Sequence, residues 1–134
     1  MGQQQLLLII LGVIIVGIAI AVGLSLFTSQ SIQSNKDAII NDINNLAASS
    51  YQFRIRPASM GGGAGAYDNS KNGGNPWTIP VKMSSNSNGT YSATVAADKV
   101  TIKGVSGTNS GNYVTADVGS DGRVSNVSLF GEFQ

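Results

Sequence analysis

The stretch Leu6–Phe27, LLLIILGVIIVGIAIAVGLSLF, carries no charged residue, and Ser25 is its one polar side chain. At ~1.5 Å per residue a helix of this length reaches about 33 Å, enough to cross the hydrocarbon core of a bilayer. Leu, Ile and Val recur on every side of such a helix and leave no polar stripe. A helix that is apolar all round has to be covered all round, by lipid or by other apolar helices. Gly12, Gly17 and Gly23 interrupt the run without forming a strict GxxxG. Two readings of them stay open. They are glycines of the kind membrane helices tolerate, or they mark close helix approach and local melting, each costing ~1 kcal/mol of helix stability relative to alanine.

The residues ahead, Met1–Gln5 (MGQQQ), contain no Lys or Arg. They lack both the positive start of a secretory signal and the charge bias that orients a membrane anchor. A basic leader removed ahead of Met1 is the expectation that accounts for this.

Beyond Phe27 the pattern changes. Thr28-Ser29-Gln30-Ser31 is polar, and then Ile32, Ile39, Ile40, Ile43, Leu46 and Ala47 recur at spacings of three, four and seven. That is the amphipathic helical period. No proline occurs before Pro57, so the spacing predicts one helix from about Gly2 to about Tyr51, apolar all round in its first half and apolar on one stripe in its second. Phe53-Arg54-Ile55-Arg56-Pro57 alternates apolar and basic residues and is expected to be extended. Met60–Ala66, MGGGAGA, invites a phosphate-loop reading. The preceding strand and following helix that such a loop requires are missing from the pattern, so a connecting loop is expected.

From Trp77 onward the signals are those of short strands. Trp77, Ile79, Val81 and Met83 fall on one face, with Pro80 demanding an edge or a bulge. Thr90–Ala96, Val100–Val105, Tyr113–Val118 and Arg123–Phe130 alternate in the same way, separated by Gly/Ser/Asn turns that include Asp121-Gly122. The reading of Arg123–Phe130 sets Val124, Asn126 and Ser128 against Val127 and Leu129. The fold class predicted is α+β: a long N-terminal helix with a protruding apolar half, and an amphipathic half packed on an antiparallel sheet of four to five strands. The stripe Ile39, Ile43 and Leu46 is the cover for the sheet. The domain boundaries expected are residues 1–30 for the apolar helix and 31–134 for a head, with helix 31–52, a glycine-rich loop 57–76 and a sheet 77–134.

Composition narrows the chemistry. The chain has no Cys and no His, which removes thiolate and imidazole metal ligands, the commonest general base and the usual partner of a nucleophilic serine. A net charge of +1 leaves no electrostatic footprint for nucleic acid. Asp37 with Asp42, and Asp117 with Asp121, are the nearest approach to acid/base pairs, and solvated carboxylates are the reading preferred for both. No enzyme activity, cofactor or metal is expected. Two sequons, Asn88-Gly89-Thr90 and Asn126-Val127-Ser128, permit N-glycosylation.

This layout of an apolar helix, an amphipathic continuation and a small antiparallel sheet resembles the type IV pilin superfamily, which includes bacterial pilins, the pseudopilins of type II secretion and archaeal pilins. The resemblance covers the whole chain in layout and Met1–Ser50 in sequence detail. It implies a filament subunit that lies in the cytoplasmic membrane before assembly and becomes part of an extracellular helical homopolymer. A prepilin peptidase and the pilus assembly machinery are its implied partners. Leu6, Leu7, Ile10, Ile14, Ile18, Val22 and Phe27 would form the polymerisation helix, and Gln3, Gln4 and Gln5 would meet neighbouring subunits.

Bacterial members carry a glutamate a few residues into the mature helix, where this chain reads QQQLLL. With Met1 as the mature start, Gln5 stands in its place and its amide can accept a hydrogen bond from an ammonium. With processing after Gly2, Leu7 stands there instead. The C-terminal disulfide of many pilins is absent, so sheet packing has to hold the C-terminal segment. A single-pass anchored surface protein, whose soluble domain binds a ligand or partner, is the competing reading.

Overall fold

A computed structural model describes residues 2–134; Met1, where the notional first segment and mature start begin, lies outside the described residues. One helix, α1, runs Gly2–Ile55. Four strands follow: β1 (Gly89–Val95), β2 (Val100–Ser106), β3 (Tyr113–Val118) and β4 (Val124–Phe130). They form one antiparallel sheet in the order β1-β2-β3-β4. The fold is the α+β arrangement predicted, with four strands. The chain divides into two compact units, the first ending at Ser34 and the second running Asn35–Gln134.

The helix ends at Ile55 instead of near Tyr51. The backbone N–H of Arg56 still donates to the carbonyl of Gln52, at 3.2 Å. Pro57 then disfavours the helical conformation for the residue before it. The last turn's carbonyls, which a helix leaves unpaired, are met by the glycine-rich segment. Gly63 N–H donates to Phe53, Gly65 N–H to Arg54 and Ala64 N–H to Arg56, at 2.7, 2.7 and 3.0 Å. Folding back this tightly puts Gly61, Ala64 and Gly65 in left-handed backbone, which the two glycines adopt without steric cost. The segment MGGGAGA is therefore a C-terminal cap for α1, and the alternation in Phe53–Ile55 is helical, not extended.

In the second unit the buried positions of α1 are Ile39, Ile43, Leu46, Ala47 and Ser50. Spacings of three and four put them on one stripe. Ser50 satisfies its hydroxyl on the carbonyl of Ala47, at 2.7 Å. The stripe lies over the inner face of the sheet. That face is built in rows across the strands: Tyr91, Gly104, Val114 and Leu129 in one, and Val95, Val100, Val118 and Val124 in another. Tyr91, Val100, Ile102, Val114, Ala116 and Val118 are buried. The outer face carries Thr90, Ser92, Thr94, Thr101, Lys103, Thr115 and Asp117, with Tyr113 and Phe130 stacked at 4.4 Å between ring centroids.

Two expectations for the strands need correction. Trp77–Met83 is no strand: Trp77 is buried, Val81 is 89% exposed, and Val81–Met83 makes a 3-10 turn. Pro80 lacks the N–H a ladder needs. The side chain instead joins the core with Ala66 and Tyr67, and the Trp77 backbone N–H donates to the Tyr67 carbonyl at 2.8 Å. In β4 the alternation breaks. Thr115 pairs with Ser128 and Asp117 with Ser125, so Asn126 and Val127 together oppose Ala116. This is a β-bulge with Asn126 in left-handed backbone, φ 51°. The extra residue brings Val124 and Leu129 to the same inner face, a pairing that strict two-residue periodicity forbids.

Candidate functional site

In the first unit every residue of Leu6–Phe27 is exposed. Ile10 is the most covered of the large apolar side chains at 48% exposure and Phe27 the least at 73%. Leu6, Leu7, Ile14, Ile18 and Val22 are exposed to a similar extent, and Gln3, Gln4 and Gln5 are exposed beside them. A side chain added at Gly12, Gly17 or Gly23 would touch nothing. Thr28 ties its hydroxyl back to the carbonyl of Leu24 at 2.9 Å, so its polar atom needs no outside partner. The helix is long and apolar enough to cross a membrane, with a mean hydropathy of 3.2 and none of its apolar window buried by the chain itself. An uncharged cylinder of this kind leaves its water-exposed surface only by insertion in lipid or by association with other apolar helices.

In the second unit Ile39, Ile43 and Leu46 are buried, at 0%, 2% and 1% exposure. Beside them stands a polar cluster that sequence reasoning missed. Asp42 Oδ2 accepts hydrogen bonds from Tyr91 Oη at 2.5 Å, Asn86 Nδ2 at 2.9 Å and Asn88 Nδ2 at 3.0 Å. Burial raises the pKa of Asp42, but the hydrogen bonds from Tyr91, Asn88 and Asn86 prevail and hold it below the usual carboxylate value. The Tyr91 phenol is pushed up, first by burial and then by the carboxylate it donates to. One helix carboxylate thus joins α1 to β1 and to the loop ahead of it. The signal was in the spacing: Asp42 stands three residues after Ile39 and four before Leu46, on the flank of the buried stripe. Asn35 adds a second tie. Its Nδ2 donates to the carbonyl of Asn88 at 3.0 Å, and its Oδ1 accepts from the Ser106 hydroxyl at 2.6 Å.

The sequon asparagines differ in their surroundings. Asn88 is half-buried, with its amide directed at Asp42. Asn126 is exposed on the outer face, and its Nδ2 donates to Asp117 Oδ2 at 3.1 Å. Asp117 also accepts from the Thr101 hydroxyl at 2.7 Å and faces Lys99 at 3.7 Å. The Asn126 and Thr101 hydrogen bonds, with Lys99 behind them, hold its pKa below the ordinary value against the opposing effect of burial.

The glycine-rich loop has no phosphate-binding geometry. Such a site needs free N–H groups at a helix N-terminus, whereas the N–H groups of Gly63, Ala64 and Gly65 are bonded to the carbonyls that end α1. Among the described residues no group of three or more Asp, Glu, His or Cys converges as a metal site would require. The exposed apolar helix is the feature of the molecule that calls for a partner. No protein-family model, no curated protein and no solved structure matches this chain.

Proposed function

We propose that this chain is the structural subunit of an extracellular, type IV pilus-like filament, held in the cytoplasmic membrane before assembly and polymerised through Leu6–Phe27. The observation that carries the reading is that every residue of that uncharged helix is exposed in a chain that also has a folded head. Burying a large apolar side chain contributes roughly 1.5–3 kcal/mol, so a dozen of them offer tens of kcal/mol to whatever covers the helix. Equivalent helices from other copies supply such a cover and leave the polar, charge-poor head outside. The three glutamines at the start of the helix then face neighbouring subunits, where their amides donate and accept hydrogen bonds.

Electron microscopy of detergent-free material shed from the cell surface, with N-terminal sequencing of any fibres, tests the proposal. Fibres composed of this chain support it. A chain found only in the membrane fraction and released solely by detergent supports the alternative, an anchored surface protein whose β-domain meets a ligand or partner.

A further inference from the structure

We infer that Asn126, in the bulge of the edge strand β4, is an acceptor for an N-linked glycan. Occupancy in the cell rests on the surface location proposed above; the acceptor geometry stands on the fold alone.

The sheet has two edges, and they are treated differently. Along β1 the preceding loop supplies partners: Ser85 bridges to Thr90, Tyr91 N–H donates to the carbonyl of Ser84 at 2.8 Å, and Asn86 N–H donates to that of Gly89 at 3.0 Å. β4 closes the other side of the sheet, and among the described residues β3 is its one neighbouring strand. An open strand edge invites pairing with other chains unless something blunts it. On β4 the bulge interrupts the ladder at Asn126 and Val127, and Val127 is left 50% exposed.

The sequon Asn126-Val127-Ser128 occupies this bulge. Asn126 takes left-handed backbone at the bulge within β4, and both Asn126 and Ser128 are exposed. The amide nitrogen carries two protons. One is donated to Asp117, and the other can be replaced without breaking that bond. In the transfer, Nδ2 forms a bond to the anomeric carbon of a lipid-linked oligosaccharide. The bond from that carbon to the pyrophosphate oxygen breaks, the lipid pyrophosphate leaves with the electron pair, and the displaced amide proton passes to a carboxylate of the transferase. The Asn88 sequon is the internal contrast. Its amide lies under Asp42 between helix and strand, and Gly89 behind it is buried. A sugar there would break the contact that joins α1 to the sheet.

The folded full-length chain in detergent micelles, incubated with a single-subunit oligosaccharyltransferase and a lipid-linked oligosaccharide, should gain one glycan by intact-mass measurement. Asn126→Gln and Ser128→Ala should each abolish the gain, and Ser128→Ala leaves Asn126 and its bond to Asp117 in place. Asn88→Gln should leave the gain unchanged. No gain, or a gain that survives Asn126→Gln, overturns the acceptor assignment. Peptide mapping of chain isolated from the cell surface should find the sugar on Asn126 and none on Asn88. Bare Asn126 on surface material overturns its occupancy, whereas chain confined to the cytoplasm overturns the surface location instead.

Discussion

Ile39 and Gly104 meet where α1 crosses the sheet: a Cβ on Gly104 would lie 2.7 Å from Ile39 Cγ2 and 2.9 Å from Tyr91 Cε1. Gly104 thus leaves a gap in the inner face, and the isoleucine fills it. Gly104→Ala should destabilise the folded chain by about 1–3 kcal/mol through overpacking. Ile39→Ala should cost about 2–5 kcal/mol through the cavity it leaves. Because the second change removes the nearer of the two groups that clash with the first, leaving the Tyr91 ring, the double variant should lose less than the two losses combined. Chemical denaturation in micelles, followed by near-ultraviolet circular dichroism, measures all three. Strict additivity would show that the two residues are not coupled.

Asp42 makes the head sensitive to acid. Its pKa is depressed on folding, so its contribution to stability is complete above the unfolded value of 3.8 and disappears as pH falls through the lower folded value. Asp117 acts in the same direction. Tyr91 works at the other end: its pKa is raised from 10.0, so stability is kept below that pH and declines as the unfolded chain begins to ionise above it. The midpoint of denaturation should be level from about pH 5 to 9 and fall outside that window. Asp42→Ala should lower the stability at neutral pH by about 2–4 kcal/mol, because three donors lose a charged acceptor, and should flatten the acid limb of the midpoint. An unchanged acid limb would place the acid sensitivity elsewhere.

A single charge in the apolar helix separates assembly from folding. At the centre of a membrane helix Lys or Asp costs about 2.5–3.5 kcal/mol, and an unpaired charge among packed helices costs several kcal/mol. Ile14→Lys or Ile18→Asp should therefore abolish filaments under the electron microscope. The dichroism of the head should stay unchanged, since neither residue is among the buried positions of α1. Normal filaments from either variant would remove the helix from the assembly.

The C-terminus is held without a disulfide. Phe133 is 2% exposed in the 3-10 turn Gly131–Phe133. Asn112 and Glu132 bond reciprocally, Asn112 Nδ2 to Glu132 Oε2 at 2.8 Å and Glu132 N–H to Asn112 Oδ1 at 2.9 Å. Phe133→Ala should cost about 3–5 kcal/mol and open β4 to limited proteolysis. Asn112→Ala, which leaves the ring in place, should cost about 1–3 kcal/mol. Equal resistance of wild type and Phe133→Ala to protease would mean that this turn holds nothing.

The large divisions of the molecule were legible in its residues. All-round apolarity marks Leu6–Phe27, the three–four spacing of Ile39, Ile43 and Leu46 marks the face that covers the sheet, and alternation locates β1, β2 and β3. Each of these signals is a local periodicity, repeated often enough that no single residue decides it. The features missed lack that redundancy. Asp42 is an anchor because Tyr91, 49 residues away, points a hydroxyl at it. The glycine-rich segment is a cap because the last carbonyls of α1 lie beside it, and Trp77 is a core residue because Tyr67 holds its backbone. The bulge at Asn126 depends on how β4 meets β3. Hydrophobic period is written along the chain, whereas a hydrogen-bond partner is chosen only when distant segments are brought together.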